Sequence, residues 1–249
     1  MTKRNIAISI LFLAALAAVL GIWHYAARLN TAGQSLTEKA DQGTGQADEI
    51  KKNNQEAIIK AAVERKILRP IDEADHVSGN KTAPVEMIIY SDFECPFCAH
   101  FAKTAGQIRQ SYPEKVKIVF RHFPLTMHPE AVPAALASEC AAEQGKFWEM
   151  HDRLFAANEA DALGAEKYKE EAAGLGLDAA KFNQCFDAEK YLKKVEREML
   201  EGRNLGISGT PYSFLNGQPI PGALPFDDFT AADGKTTDGL KSRIEKFLK

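Results

Sequence analysis

Two thiols, Cys95 and Cys98, stand three positions apart in the run Phe93-Glu94-Cys95-Pro96-Phe97-Cys98. A pair at this spacing can be oxidised reversibly to a disulfide, or it can supply half the ligands of a zinc ion. No second close pair of Cys or His completes a tetrahedron, so the redox reading is preferred and no metal is expected. The local sequence favours it too. Pro96 suits the first turn of a helix, where a missing N–H costs nothing, and the residues from Ala99 to Ala105 continue as a helix. The unpaired N–H groups and the positive end of the dipole at such a helix start stabilise an anion, and a thiolate is one. Cys95, at the mouth of the turn, is then the exposed nucleophile with a lowered pKa. Cys98, one turn inside, resolves the mixed disulfide. Pro96 and Phe97 are the dipeptide between them.

The elements that must hold this turn can be read on either side. Val85-Glu86-Met87-Ile88-Ile89-Tyr90 has the length and apolar content of a buried strand, and Val116-Lys117-Ile118-Val119-Phe120 reads as the next one. With the helix between them they make a βαβ unit, whose connection is right-handed and whose site lies at the carboxyl end of the strand, where Cys95 falls. A short first strand is expected around His76-Val77, ended by Gly79-Asn80. From Met127 to about Gly206 the pattern is helical, with Asp178 as an N-cap and Phe147, Trp148, Leu154 and Phe155 as core material. Further on, Pro211 opens an apolar strand, an unusual place for a proline unless the X-Pro bond is special. Asn216-Gly217 is a two-residue hairpin signal, Gln218-Pro219-Ile220-Pro221 suits an edge strand, and Leu240, Ile244, Phe247 and Leu248 mark one face of a terminal helix.

Taken in order, the strand leading into Ser91-Asp92-Phe93-Glu94-Cys95-Pro96-Phe97-Cys98, the segment Phe120-Arg121-His122-Phe123-Pro124-Leu125 and the late Gly209-Thr210-Pro211 resemble the DsbA-like branch of the thioredoxin superfamily. The resemblance covers about residues 75 to 249. It implies an α/β thioredoxin fold with an inserted helical domain beside the active site. It also implies that Thr210-Pro211 is a cis-proline loop facing the disulfide, with the backbone of Thr210 placed to pair with an extended substrate. Four cysteines permit three pairings, and only one leaves Cys95 with Cys98. Some relatives carry a second disulfide, and by that likeness Cys140 and Cys185 would form a structural bridge; two buried free thiols are the alternative. The family often has a buried acid beneath the disulfide, but six positions before Cys95, where the best-known oxidase type carries it, this chain has Ile89.

Asp92 and Glu94 are the acids nearest Cys95 in sequence. Either could relay a proton from Cys98, or both could be exposed strand-end residues. The six histidines form no ligand spacing; His100, His122 and His128 are read as surface or core residues.

The chain has 249 residues, 45% of them hydrophobic, enough for one globular domain with a full core plus appended pieces. No basic stretch is interleaved with aromatics, so nothing points to nucleic acid. Residues 1–28 hold Lys3 and Arg4 followed by an apolar run at residues 6–23, which as a helix extends about 27 Å. It ends at Trp23, His24 and Tyr25 rather than at an A-x-A site, so a retained inner-membrane anchor is preferred to a cleaved signal. Either segment exports the remainder to the periplasm or cell envelope. Residues 29–48 read as a flexible linker. Residues 49–70 read as an amphipathic helix, which packs on the catalytic domain or serves as a stalk, or else pairs with a second copy in a homodimer. The catalytic fold is expected over 75–126 and 207–249, with the helical insertion at 127–206. The function that follows is a thiol–disulfide oxidoreductase that introduces disulfides into reduced exported polypeptides, reoxidised by a membrane redox partner. It needs no metal, nucleotide or flavin. A disulfide isomerase or reductase on the same fold is the alternative, and a binding module or chaperone with structural cysteines is the rival of another class.

Overall fold

The computed structural model describes residues 68–230 and 234–249. The anchor or signal at residues 6–23, the linker and all but the last residues of the helix expected at 49–70 lie outside them. Among the described residues no helix is long and apolar enough to cross a membrane.

In chain order the elements are β1 (His76–Ser78), β2 (Val85–Ser91), α1 (Pro96–Ser111) and β3 (Val116–His122), then five helices, α2 (Ala131–Ala142), α3 (Phe147–Glu159), α4 (Ala165–Gly174), α5 (Ala179–Asp187) and α6 (Leu192–Asn204). They are followed by β4 (Tyr212–Leu215), β5 (Gln218–Pro221), two short strands β6 (Phe229–Thr230) and β7 (Thr236–Thr237), and α7 (Leu240–Phe247). One five-stranded sheet runs in the order β1-β3-β2-β4-β5. β2 and β3 are parallel across the α1 crossover, and every other pair in that sheet is antiparallel.

β2 is the central strand, and its period-two alternation feeds two cores. Met87 and Ile89 pack with Phe101, Ile108, Leu240 and Ile244, that is, against α1 and α7. Ile88 and Tyr90 face the other way and pack with Val119, Phe123, Ile207 and Phe214. A third core joins the site to the inserted helices: Phe93, Cys95, Cys98 and Phe120 are continuous with Phe147, Met150, Leu154, Tyr168 and Phe182. Inside the insertion, Cys140 on α2 and Cys185 on α5 are joined by a disulfide with Cα atoms 5.8 Å apart. The Asp178 carboxylate caps α5 by accepting the Lys181 N–H at 3.1 Å.

β3 runs two residues beyond the strand read at Val116–Phe120, through Arg121 and His122, both buried. Charge patterning stops a sequence-based strand there because a lone buried guanidinium is prohibitive. The structure removes that cost. Arg121 donates to both Asp75 oxygens at 3.0 Å, to the Tyr90 hydroxyl at 3.1 Å and to the Arg69 carbonyl at 3.0 Å.

Candidate active site

Cys95 is the N-cap of α1, in an extended conformation with Pro96 directly after it. The turn is held by the main chain: the N–H of Cys98 donates to the Cys95 carbonyl at 3.0 Å, and the Cys95 N–H donates to the Asp92 carbonyl at 3.2 Å. The Thr210–Pro211 peptide bond is cis. The loop that carries it brings the Thr210 carbonyl oxygen to 3.5 Å from the Cys95 sulfur. The sequence reading has Cys95 as the exposed thiol, and the structure corrects this. Cys95 is 3% exposed and Cys98 1%, because the Thr210 loop lies against the turn and Phe93 packs behind it. The dipeptide is what faces solvent, with Phe97 68% exposed.

The two thiols, both free in this structure, have opposite acidities. Cys95 is lowered to about 6, first by a hydrogen bond from the Cys98 thiol and then, against the opposing effect of burial, by the Thr210 side chain and the backbone N–H groups of Cys98 and Phe97. Those last two are amides of the helix start. Cys98 is pushed well above an ordinary thiol, chiefly by burial and then by its hydrogen bond to Cys95 and the charge there, with Ser91 and Thr210 acting in the other direction. Such a pair keeps one sulfur ionised near neutrality and the other protonated.

Asp92 and Glu94 are drawn into the same turn, but their carboxylates are engaged elsewhere. The fully buried Asp92 side chain accepts the N–H of Glu94 at 2.8 Å and of Leu125 at 2.9 Å, and lies 2.7 Å from His128 Nδ1. Glu94 accepts the Glu130 N–H at 2.5 Å. Asp92 is therefore not an exposed strand-end residue. Ser91 and Thr210 are among the groups that act on Cys98.

Two residues at this turn have no site role in the sequence reading. Asn158, on α3, donates its amide to the carbonyls of Phe93 at 2.8 Å and Cys95 at 3.3 Å, so the insertion holds the redox turn directly. His128, read as a surface or core residue, pairs with Asp92. Its only sequence cue is its closeness to the Phe120–Leu125 segment. Among the described residues no group of three or more His, Cys, Asp or Glu side chains is arranged to hold a metal ion.

A thioredoxin family model matches residues 72–232, more than half of the chain. Among solved structures, BdbD from Bacillus subtilis superimposes with a TM-score of 0.59 at 23% identity, covering 72% of this chain and 96% of that one. α-DsbA1 from Wolbachia pipientis gives 0.56 at 24% identity over 72% and 93%. Curated relatives include a protein named Na(+)/H(+) antiporter NhaA 1 from Mycolicibacterium gilvum, 39% identical over 61% of this chain but only 25% of its own length. Another is an NhaA from Herminiimonas arsenicoxydans, 35% identical over 70% of this chain and 28% of its own. The chain thus spans about a quarter of the length of these antiporters. A cysteine pair at a helix start, a cis X-Pro loop against it, a mixed five-stranded sheet and the matching family model agree, and the chain belongs to the thioredoxin family, with the fold of its DsbA-like members.

Proposed function

We propose that the chain is a thiol–disulfide oxidoreductase that introduces disulfides into exported proteins through Cys95 and Cys98. The observation that carries this reading is the placement of Cys95 as the N-cap of α1, 3.5 Å from the Thr210 carbonyl, with Cys98 buried one turn on, a placement that lowers Cys95 to about 6 and raises Cys98. A low-pKa thiolate is a good leaving group and stabilises the reduced form, which makes the disulfide form oxidising.

In the oxidised enzyme a substrate thiolate attacks the Cys95 sulfur. The Cys95–Cys98 bond breaks, a Cys95–substrate bond forms, and Cys98 leaves with the electron pair and takes a proton. A second substrate thiolate then attacks the substrate sulfur of the mixed disulfide and expels Cys95 as its thiolate. The substrate gains a disulfide and the enzyme two electrons, which a membrane redox partner removes. Thr210, whose carbonyl faces Cys95, would align the substrate backbone beside the dipeptide. Export through residues 6–23 fits the task, since disulfides persist outside the cytoplasm. This segment would act as an inner-membrane anchor, or else as a cleaved signal. Because the chain spans so little of the antiporters it matches, ion exchange is not part of the proposal.

The test is the reduction potential of Cys95–Cys98 in the full chain, measured by equilibration with glutathione. A value near about −120 mV supports the oxidase. A value near about −180 mV or lower overturns it in favour of an isomerase or a reductase kept reduced by a partner.

A further inference from the structure

The two acids at the redox turn pose an electrostatic problem. A buried carboxylate close to a thiolate raises the thiol's pKa, yet Asp92 lies three residues from Cys95, in the same turn, with its side chain fully buried. Two of its partners are neutral amides, of Glu94 and Leu125. The third is the imidazole of His128, 2.7 Å from Oδ2, with 18% of its side chain exposed. The Pro96-Phe97 dipeptide contributes no charge. The geometry points to His128 as a positioning residue: held by Asp92, it sets a positive charge beside the turn that cancels the buried carboxylate and favours the ionised form of Cys95.

The groups facing His128 agree with this role. Burial disfavours the imidazolium, but the hydrogen bond to Asp92 and the charges of Asp92, Cys95 and Glu94 outweigh it and raise the pKa. Glu130, two residues further along the chain, has its carboxylate on the Tyr168 hydroxyl, at 2.8 Å. An interaction between two titrating groups is reciprocal: if the Cys95 charge favours the imidazolium, the imidazolium favours the thiolate to the same extent. The shift of His128 is upward from the ordinary histidine value, the direction that its pairing with Asp92 and the nearby Cys95 charge require.

This rests on the proposed exchange at Cys95, but its test does not. The rate of Cys95 alkylation by iodoacetamide is followed against pH in the full, reduced chain, with the site resolved by mass spectrometry. Wild type is compared with His128→Gln, which keeps a donor to Asp92 without the charge, and with His128→Lys, which keeps the charge. His128→Gln should move the midpoint up by about half a unit to one unit, a roughly three- to tenfold loss of reactivity below it, and His128→Lys should restore most of that. A folded His128→Gln whose profile superimposes on wild type would overturn the inference. Should the Gln variant not fold, His128→Lys decides: a profile near wild type supports the charge role, and a profile raised by a full unit overturns it. Failure of wild type to oxidise a dithiol peptide would remove the proposed function and leave these profiles readable.

Discussion

The sulfur of Cys95 lies 3.5 Å from the carbonyl oxygen of Thr210, a residue 115 positions later in the chain. The thiol donates to this carbonyl while protonated and releases it on ionisation, so the same oxygen becomes free for a substrate N–H when Cys95 is in a mixed disulfide. In the proposed exchange, the reacting sulfur at the start of α1 and the main chain that would align the incoming peptide, just before β4, thus face each other.

That arrangement makes the roles of the two cysteines separable. Cys98→Ser should accumulate a covalent Cys95–substrate adduct with a peptide carrying a single thiol in the presence of oxidised glutathione, visible by non-reducing electrophoresis. Cys95→Ser should form none and should lose at least about a hundredfold in oxidation rate while keeping its fold. An adduct through Cys98 in the Cys95 variant would reverse the assignment.

The acidity of Cys95 sets a pH profile. Because the thiolate is the nucleophile, attack by the reduced enzyme on oxidised glutathione should rise with pH through about 6 and then level off. The raised Cys98 contributes nothing in that range. A rise continuing to the ordinary thiol value would mean that the helix start and Cys98 do not perturb Cys95.

Away from the site, Glu139 joins α2 to the sheet and to α6. Its Oε1 lies 2.8 Å from His122 Nε2, 2.7 Å from His76 Nε2 and 2.7 Å from Lys194 Nζ. Burial alone would raise its pKa, but the hydrogen bonds from His122 and His76 overcome that and hold the carboxyl well below the usual carboxylate range. A depressed carboxyl binds fewer protons folded than unfolded. Its contribution is therefore complete above about pH 4.3 and is lost as pH falls toward the folded value. His76 is lowered by burial, so its contribution is complete above about 6.5 and declines below it, in the same direction. Denaturant midpoints should thus fall with acidification from about pH 6.5 and more steeply below about 4.3. Glu139→Gln should cost about 3 kcal/mol at neutral pH and flatten the lower part of the curve. An unchanged acid limb in that variant would assign acid sensitivity to other groups.

Gly202 on α6 allows the close approach of that helix to the sheet. A Cβ built there would meet the Phe123 ring at 2.6 Å and Tyr90 Cδ1 at 3.2 Å, and both rings are buried. Gly202→Ala gains helix propensity but overpacks this seam, so we expect a net loss of about 1–2 kcal/mol in chemical denaturation. A stabilised variant would show that the helix can shift outward freely.

Much of the scaffold could be read from local sequence, because local sequence is where its causes act. Pro96 after Cys95 marked the helix start, β-branched runs marked β2 and β3, Asn216-Gly217 marked the hairpin, and Asp178 marked the cap of α5. The chemistry of the Cys pair was legible for the same reason, since the helix-start amides that stabilise a thiolate belong to the next residues of the chain. What stayed hidden involves partners distant in sequence. The burial of Cys95 depends on a loop 115 positions away, and the pairing of Asp92 with His128 on one 36 positions away. Arg121 could enter a core strand only because Asp75, Tyr90 and the Arg69 carbonyl converge on it. A polar side chain carries no local mark of whether a partner will be there to offset its desolvation. Composition and periodicity determined which elements form and where a thiolate would be stable, whereas the tertiary structure alone decided which charges meet, because a buried charge is tolerated only where the folded chain brings its counterpart within a few ångströms.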